Sequence, residues 1–253
     1  MKSNDTDNNG CTVAVADLVT EAAPDANPDT DSNPDTDSNP DSDSNPDSDS
    51  NPDPDPDPDL DTDPDSATVR VPCWRGRTVT FAALDADSDA ELMHGWRSDP
   101  VAAHEIGFWP RSLPALRERL ERDRDDHDRD DFLVLLPDGT PIGHIALTDQ
   151  DMVDGTGEVQ LMMDPQYRGQ SHGTDAVDAL TDLAFGELPM QRLQAVTHTT
   201  NAPALAVLAR AGFVREGTRR SACLHRGRRY DVAVLSLLRS EWEALARPRS
   251  WDA

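Results

Sequence analysis

The chain has 253 residues, enough for one or two domains, and a formal net charge of −26 at pH 7. Binding bare nucleic acid needs clustered positive charge to replace counterions, and this composition argues against such a partner. Three scattered cysteines, Cys11, Cys73 and Cys223, argue against a disulfide framework or structural zinc, and no apolar run has the length of a signal peptide or membrane span. The expectation is a cytoplasmic protein with no metal and no membrane partner.

Residues 1–68 hold 19 Asp and one Glu against one Lys, Lys2, while the rest of the chain holds 29 acids and 22 Arg. Within this segment Asn-Pro recurs with a period of six at Asn27, Asn33, Asn39, Asn45 and Asn51. Nothing apolar is available to bury, proline blocks regular pairing and like charges repel, so 1–68 reads as a disordered acidic tail. Asp29, Asp31 and Asn33 imitate the start of a calcium loop. Pro34 and Pro40 stand where that loop needs its Gly and its Glu, so the solvated tail is the reading kept. Abundant Asp with one Lys suits a halophilic cytoplasm, where surface charge keeps a protein hydrated.

From about residue 70 to 247 the texture is that of one folded domain. "TVTFAAL" (78–84) alternates as a strand. "SDAELMHGW" follows as a helix, with Ser88 and Glu91 spaced as a capping box. "SLPALRERLERDRDD" is a second helix, capped by Ser112 with Pro114 in its first turn. "DFLVLLPDGTPIGHIALTD" is a hairpin about Pro-Asp-Gly, and "GEVQLMMDP" is a strand stopped at Pro165. "GTDAVDALTDLAFGEL" is an amphipathic helix with Val177, Leu180 and Ala184 inward and Asp175, Asp178 and Asp182 outward. "RLQAVT" is a strand, "NAPALAVLARAGF" a helix capped by Asn201, and "SACLHRGRRYDVAVLSLL" a hairpin about Arg226-Gly227. The fold class is α+β, with a mixed central sheet of about seven strands and flanking helices.

One loop carries chemistry in two incompatible ways. "QYRGQSHGTDA" (166–176) contains G-x-S-x-G, which would make Ser171 a nucleophile. That elbow needs its Ser directly at a strand tip, and Asp164 to Arg168 intervene. The same residues also form a glycine-containing loop running into a helix N-terminus, where unpaired N–H groups and the helix dipole favour an anion such as phosphate. Gly169 and Gly173 let the backbone approach closely, and Arg168 can pair with phosphate.

"MMDPQYRGQSHGTDAVDAL" resembles the acetyl-CoA-binding motif of GNAT-fold N-acetyltransferases, Q/R-x-x-G-x-G/A, with Arg168 first, Gly173 last and Ser171 where the middle glycine usually stands. "NAPALAVLARAGFVREG" and "RRYDVAVLSLLRSEW" resemble later segments of the family, and the ending is similar to its RimJ/RimL-like branch. The resemblance spans roughly residues 75–245. It implies a GNAT fold and transfer of an acetyl group from acetyl-CoA to a primary amine, on a protein N-terminus or a small molecule, by a monomer or homodimer. It implies that the backbone of Gly169, Gln170, Ser171, His172, Gly173 and Thr174 holds the pyrophosphate. It also implies that Leu161, Met162 and Met163 pair with the pantetheine arm, and that Asn201 contacts it.

Glu158, at the start of the cofactor-facing strand, stands where several relatives place the carboxylate that deprotonates the amine. Leu208 stands where many relatives have an acidic Tyr, so that role is vacant. His144 and His198 read as packed or solvent-facing residues, and Trp96, His104, Phe108 and Trp109 as residues that line a substrate mouth or pack the two helices. With Ser171 and Leu208 departing from the pattern, a non-catalytic acyl-CoA-binding sensor on the same fold is the alternative.

Overall fold

The computed structural model describes residues 70–98, 111–225 and 227–252. The expected acidic tail and the mouth residues His104, Phe108 and Trp109 lie outside them.

Eight strands form one sheet: β1 (Pro72–Arg75), β2 (Thr80–Ala83), β3 (Asp130–Leu135), β4 (Pro141–Asp151), β5 (Thr156–Met163), β6 (Arg192–His198), β7 (Val214–His225) and β8 (Arg228–Leu238). Their spatial order is β1-β2-β3-β4-β5-β6-β8-β7, antiparallel throughout except for the β5–β6 pair. The sheet has one strand more than the sequence pattern indicates. β1 is a four-residue edge strand that opens with a proline and shows no apolar alternation, as an edge position permits.

Among the described residues five helices flank the sheet: α1 (Ala86–Arg97), α2 (Leu113–Arg124), α3 (His172–Gly186), α4 (Ala202–Arg210) and the short α5 (Arg239–Ala244). α1 begins earlier than the Ser88 capping box suggests. Asp85 is its N-cap and accepts the Ser88 N–H at 2.9 Å. Ser112 and Asn201 cap α2 and α4 as expected, each accepting an N–H three residues on. Two apolar cores result. One lies between the sheet and α3, α4 and α5, the other between the sheet and α1 and α2.

α3 corrects a reading of the sequence. Its apolar stripe faces the core as expected, yet Asp175, Asp178 and Asp182 are buried at 4%, 5% and 1% exposure rather than solvated. Asp175 accepts the N–H of Thr78 at 2.7 Å and its hydroxyl at 2.9 Å, and pairs with Arg77, tying the helix start to the β1–β2 turn. Asp182 accepts from Trp242 Nε1 at 2.8 Å, Arg247 Nη2 at 2.7 Å and the Ser250 N–H at 2.7 Å. The outer side of α3 is thus covered by the chain following β8, which stays packed past residue 247. Periodicity reports which residues are polar; it is blind to segments that arrive later and satisfy them.

Candidate active site

The site is built on β5 and the loop after it. Side chains on a strand alternate, so Val159, Leu161 and Met163 point toward α3, while Glu158, Gln160 and Met162 point the other way. The first three line a cleft of about 300 Å³ with Tyr167, Asn201 and Leu208. Met162 packs instead into the core under α1 and α2, so it offers the cleft side only its backbone.

β5 pairs with β6 through Thr156↔Arg192, Gly157↔Leu193 and Glu158↔Gln194, and no farther. Beyond that point β5 stays with β4 as far as Gly143↔Met163, and β6 stays with β8 as far as His198↔Val232. The sheet therefore opens as a V whose apex is Glu158. A bulge in β4 between Thr148 and Asp151, with Asp149 at φ 50°, adds local twist beside that apex. The β6-facing backbone groups of Val159 to Met163 form an internal edge to which an extended amide chain can add.

The loop that follows is set by short local bonds. Asp164 accepts the Gln166 N–H at 2.8 Å and starts a 3-10 turn over Pro165–Tyr167. Arg168 lines the cleft and donates Nε–H to the Met163 carbonyl at 3.1 Å. Gly169 and Ser171 both take positive φ, 76° and 69°. For Ser171 this left-handed conformation costs roughly 1–2 kcal/mol. Ser171 is the N-cap of α3 and makes no side-chain cap bond, so no side chain closes the helix end that faces the cleft. Gly173 packs against β5, where a Cβ would make ordinary contact with Leu161 Cδ2 at 3.4 Å. Thr174 Oγ1 is buried without a hydrogen-bond partner.

The remaining expected residues divide. Asn201 lines the cleft while its Oδ1 accepts the Ala204 N–H at 3.1 Å. Gln170 folds back to donate to the Gln166 carbonyl at 3.1 Å, and His172 turns toward Thr78 Oγ1 at 3.5 Å. Neither side chain lines the cleft; both leave only their backbone at the loop.

Glu158 is 7% exposed. Its Oε2 accepts from Gln194 Nε2 at 3.0 Å, and its Oε1 is buried with no hydrogen-bond partner. Burial pushes its carboxyl up to about 7; Asp149 adds to the rise, while the Gln194 bond and Arg219 oppose it. His144 is held at 2.6 Å by Asp131, which also pairs with Arg129. Burial acts to raise the Asp131 carboxyl, but those two partners outweigh it and hold it well below the usual range. His198 is buried and stacks on Tyr230, ring centroids 5.5 Å apart. Among the described residues no cluster of His, Cys, Asp and Glu could hold a metal.

The model of the Acetyltransferase (GNAT) domain family matches residues 79–214. The chain belongs to the GNAT acetyltransferase family. Among its relatives, the SPbeta prophage-derived uncharacterized N-acetyltransferase YokL of Bacillus subtilis (strain 168) is 24% identical over 68% of this chain and 97% of that protein. The putative ribosomal N-acetyltransferase YdaF of the same organism is 33% identical over 43% of this chain and 60% of that protein. The spermidine N-acetyltransferase of Vibrio cholerae, solved in complex with CoA and spermine, superposes with a TM-score of 0.62 at 21% identity, over 66% of this chain and 98% of that one.

Two features of this GNAT site escape a reading of the sequence, and a third, Leu208, fits it. Gln194 and Asp149 tune Glu158; Gln194 arrives from β6, 36 residues away, and Asp149 is brought close by the bulge in the β4–β5 hairpin. Tyr167 places a phenol in the cleft that Leu208 leaves without an acidic proton. A buried Leu208, at 2% exposure, contributes wall instead of chemistry.

Proposed function

We propose that this chain is an acetyl-CoA-dependent N-acetyltransferase of the RimJ/RimL-like branch. It transfers an acetyl group to a primary amine, on a protein N-terminus or a small molecule, within one ternary complex. The observation that carries the reading is the position of Glu158, a buried carboxylate with a raised pKa at the apex of the β5–β6 split.

The residues present fit acetyl-CoA. The uncapped start of α3 with the positive-φ turn at Gly169 and Ser171 suits a pyrophosphate, because helix-end N–H groups are donors without acceptors. Thr174 Oγ1 lacks a partner that such an anion would supply. Arg168 adds positive charge at the same loop. The parted edge of β5 from Val159 to Met163 suits the amides of pantetheine, and the apolar walls Leu161, Met163 and Val207 suit its methylenes. Bound there, acetyl-CoA supplies an acetyl group activated as a thioester.

The chain's own work is then binding, orientation and proton transfer. An amine attacks only as the free base, and most amines enter as ammonium. Glu158 Oε1, which has no competing hydrogen bond, takes that proton, and Gln194 holds the other oxygen and so fixes the carboxyl plane. A carboxyl near 7 is ionised enough to accept the proton and basic enough to keep it through the step. Asp149 beside the apex adds negative charge that attracts the ammonium.

The competing reading, an acyl-CoA-binding sensor without turnover, is favoured by Ser171 and Leu208. A thiol-release assay with acetyl-CoA and a panel of amines and N-terminal peptides separates the two. Turnover in the wild type, reduced at least about 100-fold in Glu158→Gln with acetyl-CoA binding intact, supports the enzyme. Binding without turnover on any amine supports the sensor.

A further inference from the structure

The β7–β8 hairpin carries a charge pattern that the cofactor does not use. In a chain of net charge −26, it places Arg215, Arg219, Arg220, Arg228 and Arg229 on the surface, all exposed. Arg215 is occupied by Thr218 at 2.7 Å. Arg192, near the base of the hairpin on β6, is neutralised by Glu216 through two contacts of 2.6 Å. Arg219 and Arg228 have no acidic partner among the described residues.

Register puts these two on the face of Glu158. Directly paired residues of neighbouring strands point to the same side of a sheet. Glu158 pairs with Gln194, and Gln194 shares its face with His198, four residues along β6. His198 pairs with Val232, and Val232 pairs with Arg219. Tyr230, two residues from Val232, shares that face and stacks on His198, and Arg228 follows two residues further. The field of Arg219 reaches Glu158, whose carboxyl it pulls down, while Asp149 on the β4 side pushes it up. The apex at Glu158 therefore has the acidic Asp149 on its β4 side and the basic Arg219 on its β7 side, while Arg228 lies four residues farther along the same face of β8.

We propose that the acceptor is an acidic peptide: its N-terminal amine sits at Glu158, and a carboxylate side chain close behind it is read by Arg219. Arg219 stands three strand spacings of about 4.8 Å across the sheet and four residues, about 13 Å, along it from Glu158, roughly 20 Å between backbones; the lengths of the two side chains close about half of that, so the carboxylate belongs within about two to four residues of the amine. A polyamine fits this polarity poorly, because the cation next to its reacting amine faces arginine. The inference rests on the acetyltransferase reading and adds the acceptor class to it.

Competition between three acceptors tests it, using the full chain and acetyl-CoA with thiol release. The acceptors are a peptide beginning Ser-Asp-Glu, its Ser-Lys-Lys counterpart and spermidine. The acidic peptide is expected to have a kcat/KM about tenfold or more above either of the others at low salt, with the gap shrinking as salt screens the arginines. Arg219→Glu is expected to reduce kcat/KM for the acidic peptide about tenfold, mainly through KM, and to leave the acetyl-CoA Kd unchanged. Arg219→Ala should also move the acid limb of the pH–rate profile upward, a shift that loss of a purely structural residue would not produce. A better rate with spermidine or the basic peptide, or an equal loss on all three acceptors in Arg219→Glu, overturns the inference alone. Failure of acetyl-CoA to bind overturns the acetyltransferase reading, and this inference with it.

Discussion

Glu158 joins a stability cost to a catalytic use. Its carboxyl stands near 7 in the fold against 4.5 in its ordinary state, chiefly because burial disfavours the charge. The group is protonated and easily buried at pH 5, and charged with one oxygen unpartnered at pH 8. The folded state therefore loses stability as pH rises between these values, by an amount on the order of 1–3 kcal/mol. Glu158→Gln is expected to raise the Tm at pH 8 by several degrees and to change it little at pH 5, as scanning calorimetry at the two pH values reports. Catalysis runs the opposite way. The kcat/KM of the wild type should rise with pH through about 7 and level off above it, with the residual rate of Glu158→Gln lacking that step. Ser171 shows a second local trade. Its left-handed backbone has a cost that glycine avoids, so Ser171→Gly should be as stable as the wild type or up to about 1 kcal/mol more stable in urea unfolding. Ser171→Val, β-branched at positive φ, should be less stable by more than about 1 kcal/mol.

At the scale of elements, α3 is the central piece. Its N-terminus faces the cleft, and its three aspartates bind the β1–β2 turn on one side and the C-terminal chain on the other. Asp182 holds the C-terminal side, with Trp242, Arg247 and Ser250 all donating to it. Asp182→Ala leaves the buried indole N–H of Trp242 without its acceptor and takes one of two carboxylates from Arg247, which keeps Asp178, and is expected to cost about 1–3 kcal/mol in urea unfolding. Hydrogen exchange should show the fastest gain in α5 and the residues after it. This is also where the sequence misleads. An i, i+3, i+7 pattern of aspartates opposite an apolar stripe reads as a solvated face, and the partners that bury it, Arg77 and Arg247, lie about 100 and 65 residues away. β1 escapes the pattern for a related reason, since an edge strand of four residues needs no apolar alternation.

At the scale of the whole molecule, the strand and helix order from Thr78 to Leu238 was legible because each core-facing element carries its own period and its own punctuation. Pro165 stops β5, Asn201 caps α4, and Gly212 at φ 96° ends it. The cofactor loop was legible because backbone geometry there demands particular residues. The environment of Glu158 was not, because Asp149, Gln194 and Arg219 converge through sheet register and a bulge, which local pattern does not encode. Net charge is likewise a property of the whole chain. A chain of −26 repels itself, so the Tm is expected to rise by several degrees between 0.1 M and 2 M potassium chloride as that repulsion is screened. The central claim is that the split sheet and the uncapped start of α3 form an acetyl-CoA site. Isothermal titration of acetyl-CoA into the full chain tests it most directly. The account predicts saturable one-site binding with a Kd in the micromolar range and a matching rise in Tm. No heat and no thermal shift at millimolar acetyl-CoA would contradict it.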